Sequence, residues 1–142
     1  QAPGGAIDVI VNGRTTTLTA ADLRQLKRVS LRIADTRDSS TVSGISLWSV
    51  LEKVGSPAAV ASGRQRASTY LKLTGADGVS GVIALVEVDP SFSKREVLII
   101  DQRNSKALDP VEGPWRVIVP DDLRHARWIR NLKSITVETV PR

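Results

Sequence analysis

Apolar residues in this 142-residue chain come in short bursts, most of them alternating with polar ones. Ile7, Val9 and Val11 alternate with Asp8 and Ile10, and Val29, Leu31 and Ile33 alternate with Ser30, Arg32 and Ala34. Trp115, Val117 and Val119 repeat the pattern, and Ile135 and Val137 mark a last instance. A period of two places alternate side chains on opposite faces, which is the signature of strands, and Val29 to Ile33 reads as a strand with one wet face. Val97-Leu98-Ile99-Ile100 is instead continuously apolar and reads as a strand buried on both faces. Asn12-Gly13 and Asp77-Gly78 supply tight-turn dipeptides, the first joining Ile7–Val11 to a return strand Arg14–Leu18. Asn104–Lys106 reads as a further turn.

Helical signals are few and brief. Thr19 and Asp22 are spaced like a capping box before Leu23 and Leu26. Leu47, Val50, Leu51 and Val54 fall at i, i+3, i+4 and i+7, with Ser46 as N-cap, Gly55 as stop and Pro57 forbidding continuation. Residues 35–44 read as a polar loop and Ala58–Gly63 as a small-residue linker. Strands are expected at Tyr70–Thr74 and Val79–Leu85, and a turn or helix start at Asp89-Pro90. Pro120-Asp121-Asp122 is expected to open a short helix. The sum is an α+β fold, mixed β-sheets with three or four short helices, in a single domain over residues 1–142. Regular βαβ alternation is absent, which argues against a Rossmann fold.

Composition excludes several functional classes. No apolar run approaches the ~18 residues of a transmembrane helix. The chain has no cysteine, so it offers no disulfide, no thiolate nucleophile and no Cys-based metal site. The net charge of +5 lies within the range that keeps a small domain soluble, and no run of five like charges occurs. With only five aromatic residues, none interleaved with the basic ones, a nucleic-acid surface is not expected. Gln1-Ala2-Pro3-Gly4-Gly5 reads as a flexible lead-in left by signal-peptide removal, which leads to an expectation of a periplasmic or secreted protein.

Candidate chemistry narrows to one cluster. Ser91 and Lys94 match S-x-x-K formally, without the companion motifs that give it meaning. His125 is the only histidine, too few for a His-centred metal site. No glycine-rich phosphate loop is present. Arg124, Arg127 and Arg130 recur at i, i+3 and i+6, and guanidinium forks match phosphate oxygens two by two. A solvated basic face with Asp121 and Asp122 as local partners is the competing reading.

A sequence of motifs then gives a family resemblance. Gly44-Ile45-Ser46-Leu47-Trp48 with Val50-Leu51 resembles a GxPLxxLL segment, and Leu73 to Gly78 a GxDGY turn. Leu85 to Pro90 resembles LxELDP, and Leu98-Ile99-Ile100 with Leu108 resembles LLAxxxxGxPL. Gly113 to Pro120 resembles GPxRLVVPG, and Ala126-Arg127-Trp128-Ile129-Arg130 resembles ARWVK. Together, from Val29 to Val137, the chain resembles the oxidoreductase molybdopterin-binding domain family, with its sulfite-oxidase-type fold. The resemblance implies a basic pocket for the pterin phosphate, with Arg127 and Arg130 at the family's phosphate-approaching positions and Arg124 and His125 beside them. It also implies a molybdenum-ligating cysteine near Ala34 or Asp35, which this chain lacks. Val79 stands where an aromatic is usual, and Asp121 where the family has glycine. The expectation is a domain that binds an anionic small molecule, a pterin phosphate or similar, without molybdenum catalysis of its own. The alternative is an exported protein-interaction module that kept the fold and lost the cofactor.

Overall fold

In the computed structural model, which describes residues 5–34, 39–55 and 63–141, the Asn12-Gly13 signal is realised as a hairpin. Asn12 and Gly13 both take positive φ, 51° and 78°, between strands β1 (Ile7–Val11) and β2 (Arg14–Leu18). The Thr19–Asp22 capping box forms as expected: the Asp22 amide donates to Thr19 Oγ1 at 3.1 Å and the Thr19 amide to Asp22 Oδ2 at 2.9 Å. It opens helix α1 (Ala20–Arg24), which buries Leu23. Ser46 caps helix α2 (Leu47–Lys53), where Leu47, Val50 and Leu51 are fully buried and Gly55 ends the segment at φ 76°.

The remaining elements are strands β3 (Val29–Ala34), β4 (Ser39–Ser46), β5 (Thr69–Gly75) and β6 (Ser80–Ala84), helices α3 (Gly63–Ala67) and α4 (Leu85–Val88), and strands β7 (Leu98–Arg103), β8 (Lys106–Ala107), β9 (Arg116–Ile118) and β10 (Leu132–Thr139). The chain is α+β, with ten strands in two five-stranded sheets and four helices among the described residues. One sheet runs β2-β1-β10-β5-β6, with β1 and β10 parallel and every other pair antiparallel. The other runs β3-β4-β7, and β7 receives β9 along Leu98–Ile100 and β8 at Gln102 and Arg103. Inward residues of both sheets, including Ile7, Leu71, Leu73 and Ile135 of the first and Val42, Leu98, Ile100 and Val117 of the second, join one hydrophobic cluster. Trp115 lies in it fully buried, its Nε1–H donating to the Gly5 carbonyl at 2.7 Å. Gly5, expected as part of a flexible lead-in, is therefore a buried anchor, whereas residues 1–4 lie outside the described residues.

Three local expectations are corrected. Residues 39–44, read as loop from their polarity, are the first part of β4. They pair with β3 along one edge and, from Val42, with β7 along the other, Thr41 bonding instead to Asn104, and buried Ser40 accepts from Arg103 Nη1 at 2.7 Å, so its hydroxyl is satisfied inside the sheet. Residues 35–38 and 58–62, within the expected loop and linker, lie outside the described residues, and Gly63 opens α3. The helix expected after Pro120 is absent: residues 120–131 form a bent segment. Here the Ile129 carbonyl accepts from the Val117 amide at 3.0 Å and the Trp128 carbonyl from Arg116 Nε at 3.3 Å, so backbone groups a helix would use internally turn outward to β9.

Gly44 holds the second sheet together by lacking a side chain. A Cβ there would lie 2.1 Å from the Ile99 carbonyl oxygen and 2.5 Å from the Ile100 Cα, both backbone atoms of β7. Gly44→Ala is expected to destabilise the fold by about 3 kcal/mol. A urea melt of the variant against the parent measures this, and an unchanged midpoint would show that β4 and β7 can separate freely.

Candidate functional site

The bent segment 120–131 carries all four residues expected to bind an anion, so its conformation decides what they can do. It is pinned from within. Trp128 and Ile129 are buried, and Trp128 Nε1–H donates to the Val119 carbonyl at 3.0 Å. The His125 ring stacks on Trp128 with centroids 3.5 Å apart and planes 4° from parallel. The Arg116 guanidinium lies 5.8 Å from the same indole centroid, within cation–π range.

Arg127 ties this segment to the neighbouring sheet. Its Nε and Nη2 donate to the two Asp122 oxygens at 2.9 and 2.8 Å. Its Nη1 and Nη2 donate to Glu87 at 3.1 and 3.2 Å, and Nη1 also reaches the Val82 carbonyl of β6 at 3.3 Å. A guanidinium has five N–H donors, and here two carboxylates and a carbonyl take them all. The pair with Asp122 and then Glu87 raises the Arg127 pKa, and the hydrogen bond from Arg127 holds the Asp122 carboxyl below the usual carboxylate range. Glu87 is doubly held, because the Ala84 amide also donates to it at 2.8 Å. Arg127, expected to face a phosphate, thus commits its donors to Asp122, Glu87 and Val82.

Arg124 and Arg130 are placed differently. Both are exposed, and neither has a carboxylate partner among the described residues. His125 is half-buried in its stack on Trp128. Between Asp122 and Arg124 stands Leu123, completely exposed. Of the residues that make up the site, Glu87 and Arg95 went unrecognised in the sequence. Glu87 lies in the Leu85–Pro90 segment, three residues after Ala84, and this helix-start spacing was its only local signal. Arg95 reaches Glu87 at 3.6 Å and Asp121 at 3.8 Å. Ser91, the formal S-x-x-K serine, donates its hydroxyl to Asp89 at 2.7 Å, a carboxylate also paired with Arg66.

No protein-family model matches the sequence, and no curated protein of related sequence was found. Among solved structures, the sulfane dehydrogenase SoxCD from Paracoccus pantotrophus is similar, with a TM-score of 0.73 at 15% identity. The likeness is one of fold. The alignment covers 95% of this chain and 39% of the SoxCD chain, so the protein described here spans well under half of that one.

The donor set does not fit a molybdenum centre. The chain has no thiolate to offer, and among the described residues no three His, Asp or Glu side chains converge where a metal ion could be held. Ala34, at one of the two positions where the resemblance places the ligating cysteine, is an exposed strand end, and Asp35 lies outside the described residues.

Two predictions follow from the ion pairs. Arg127→Ala takes from Asp122 its guanidinium partner and leaves Glu87 with the Ala84 amide and the longer Arg95 pair, and is expected to cost about 2 kcal/mol, read by chemical denaturation; a change within error would mean the segment is held by Trp128 alone. Acid should also loosen the fold. Glu112 is held low despite burial by hydrogen bonds from Arg103 and Arg116, and Asp89 is held low despite burial by Ser91 and Arg66. A carboxyl whose folded pKa is depressed stabilises the fold above its unfolded value and loses that contribution as pH falls through the folded one. The urea midpoint should stay level from about pH 7 to 5 and fall below about pH 4, the unfolded carboxylate range. A midpoint that is level down to about pH 2 would contradict these pairings.

Proposed function

We propose that the chain is a binding domain rather than a catalyst, taking a phosphate-type anion on Arg124 and Arg130 of the 120–131 segment. The observation that supports it is the contrast within one cluster: Arg127 is saturated and rigidly placed, whereas Arg124 and Arg130 flank it exposed and without acidic partners among the described residues. His125, stacked beside them, adds a ring N–H donor. The motif resemblance makes a pterin phosphate the first ligand to test.

Thermal unfolding with molybdopterin, inorganic phosphate and sulfate tests this, because a ligand of the folded state raises the midpoint. The expected result is a rise with the phosphate-bearing ligands that Arg124→Ala/Arg130→Ala abolishes without lowering the unliganded midpoint. A larger rise with the pterin than with phosphate identifies a pterin site; equal rises identify a general phosphate site. No rise at saturating ligand overturns the reading. It would favour the second one, a protein-interaction module, for which fully exposed Leu123 on the pinned segment is the supporting observation.

A further inference from the structure

A second feature involves none of the four residues above. A cleft of about 270 Å³ opens between the start of α2 and residues 88–97. Trp48, Val88 and Val97 form apolar wall, and Lys94, Arg95 and Glu96 line the rest. Trp48 is the exception among the three tryptophans: Trp115 and Trp128 are buried, whereas Trp48 packs partly on the core and shows its remaining surface to the cleft.

The charges beside it are available. Lys94 is exposed and has no partner among the described residues. Arg95 is half-exposed, and its two ion pairs are long, 3.6 Å to Glu87 and 3.8 Å to Asp121. Such pairs in water hold a side chain only weakly, so an incoming anion can recruit its guanidinium. Among the charged residues that line the cleft, two are cations and one, Glu96, is an anion, with Glu87 and Asp121 behind Arg95. A partly buried indole offers a flat apolar face, and the neighbouring cations offer charge-assisted hydrogen bonds. Inorganic anions can use only the second feature and neutral aromatics only the first. The cleft's volume, just below that of drug-sized sites, limits the ligand to about one ring.

We propose that this cleft binds a small aromatic carboxylate, its ring against Trp48 and its carboxylate on Lys94 and Arg95. The test is a titration of the ¹⁵N-labelled protein followed by the Trp48 indole N–H resonance, assigned by Trp48→Phe, with benzoate, benzamide and inorganic phosphate as probes. Benzoate should shift that resonance saturably, with benzamide and phosphate each about tenfold or more weaker, and Lys94→Gln should weaken benzoate by about tenfold, the worth of one charge-assisted contact. Lys94 is exposed, so the variant's circular dichroism and melting midpoint should match the parent's. The proposal is overturned if benzoate gives no saturable shift by about 20 mM, if benzamide or phosphate does as well, or if Lys94→Gln binds like the parent. Because Arg124 and Arg130 take no part, benzoate binding to Arg124→Ala/Arg130→Ala should be unchanged, which separates this site from the phosphate reading.

Discussion

Strand β7 is the constraint on which the second sheet rests. Leu98, Ile99, Ile100 and Asp101 are all buried, so every peptide group along them must find a partner inside the protein. β4 supplies partners on one edge, and β9 followed by β8 supplies them on the other. The requirement extends to side chains, because Asp101 is buried within the strand. Arg28 answers it with two hydrogen bonds, with Arg24 3.6 Å away, and Arg24 in turn lies 6.0 Å from the Trp115 ring centroid. The basic end of α1 is thereby fastened to the centre of a sheet to which it contributes no strand.

The same device recurs across the molecule and explains where much of the chain's basic character goes. Arg103 and Arg116 converge on Glu112, linking β7 and β9 to the segment between them. Arg66 reaches Asp89, joining α3 to the turn after α4. Arg127 closes on Asp122 and Glu87. Arg28, Arg66 and Arg127 bridge segments distant in sequence, and Arg103 and Arg116 reach nine and four residues to one shared carboxylate, using planarity and donor number that a lysine lacks. An excess of five positive charges thus says little about a polyanionic partner until these structural arginines are set aside. Arg124, Arg130 and Lys94 are exposed and have no carboxylate partner among the described residues.

Local chemistry was legible wherever the governing interaction is short in sequence. Asn12-Gly13, the Thr19–Asp22 box, the Ser46 cap and the alternation of β1 and β3 all act within a few residues, and all were readable; Ile118 of β9, placed by alternation opposite Val117, is buried with it. The ordered motifs from Gly44 to Arg130 carried the fold class further than any single one could. What stayed hidden depends on partners far along the chain. Ser40 and Ser43 look like loop residues until β7 and Arg103 are beside them. Arg124, Arg127 and Arg130 share a helical spacing, yet Arg127 has a different role from its neighbours because Glu87 lies forty residues upstream. No periodicity encodes that contact.

The parallel pairing of β1 with β10 has a temporal side. β1–β2 and β5–β6 are local hairpins, each able to form as soon as its own residues exist, but nothing in the first sheet joins them except β10. Asp8 meets Ser134 and Val11 meets Val137, nearly the whole chain apart. The entropy of closing that loop must be met before the sheet gains its central strand, which places its completion late in folding and makes the last strand the keystone of the first.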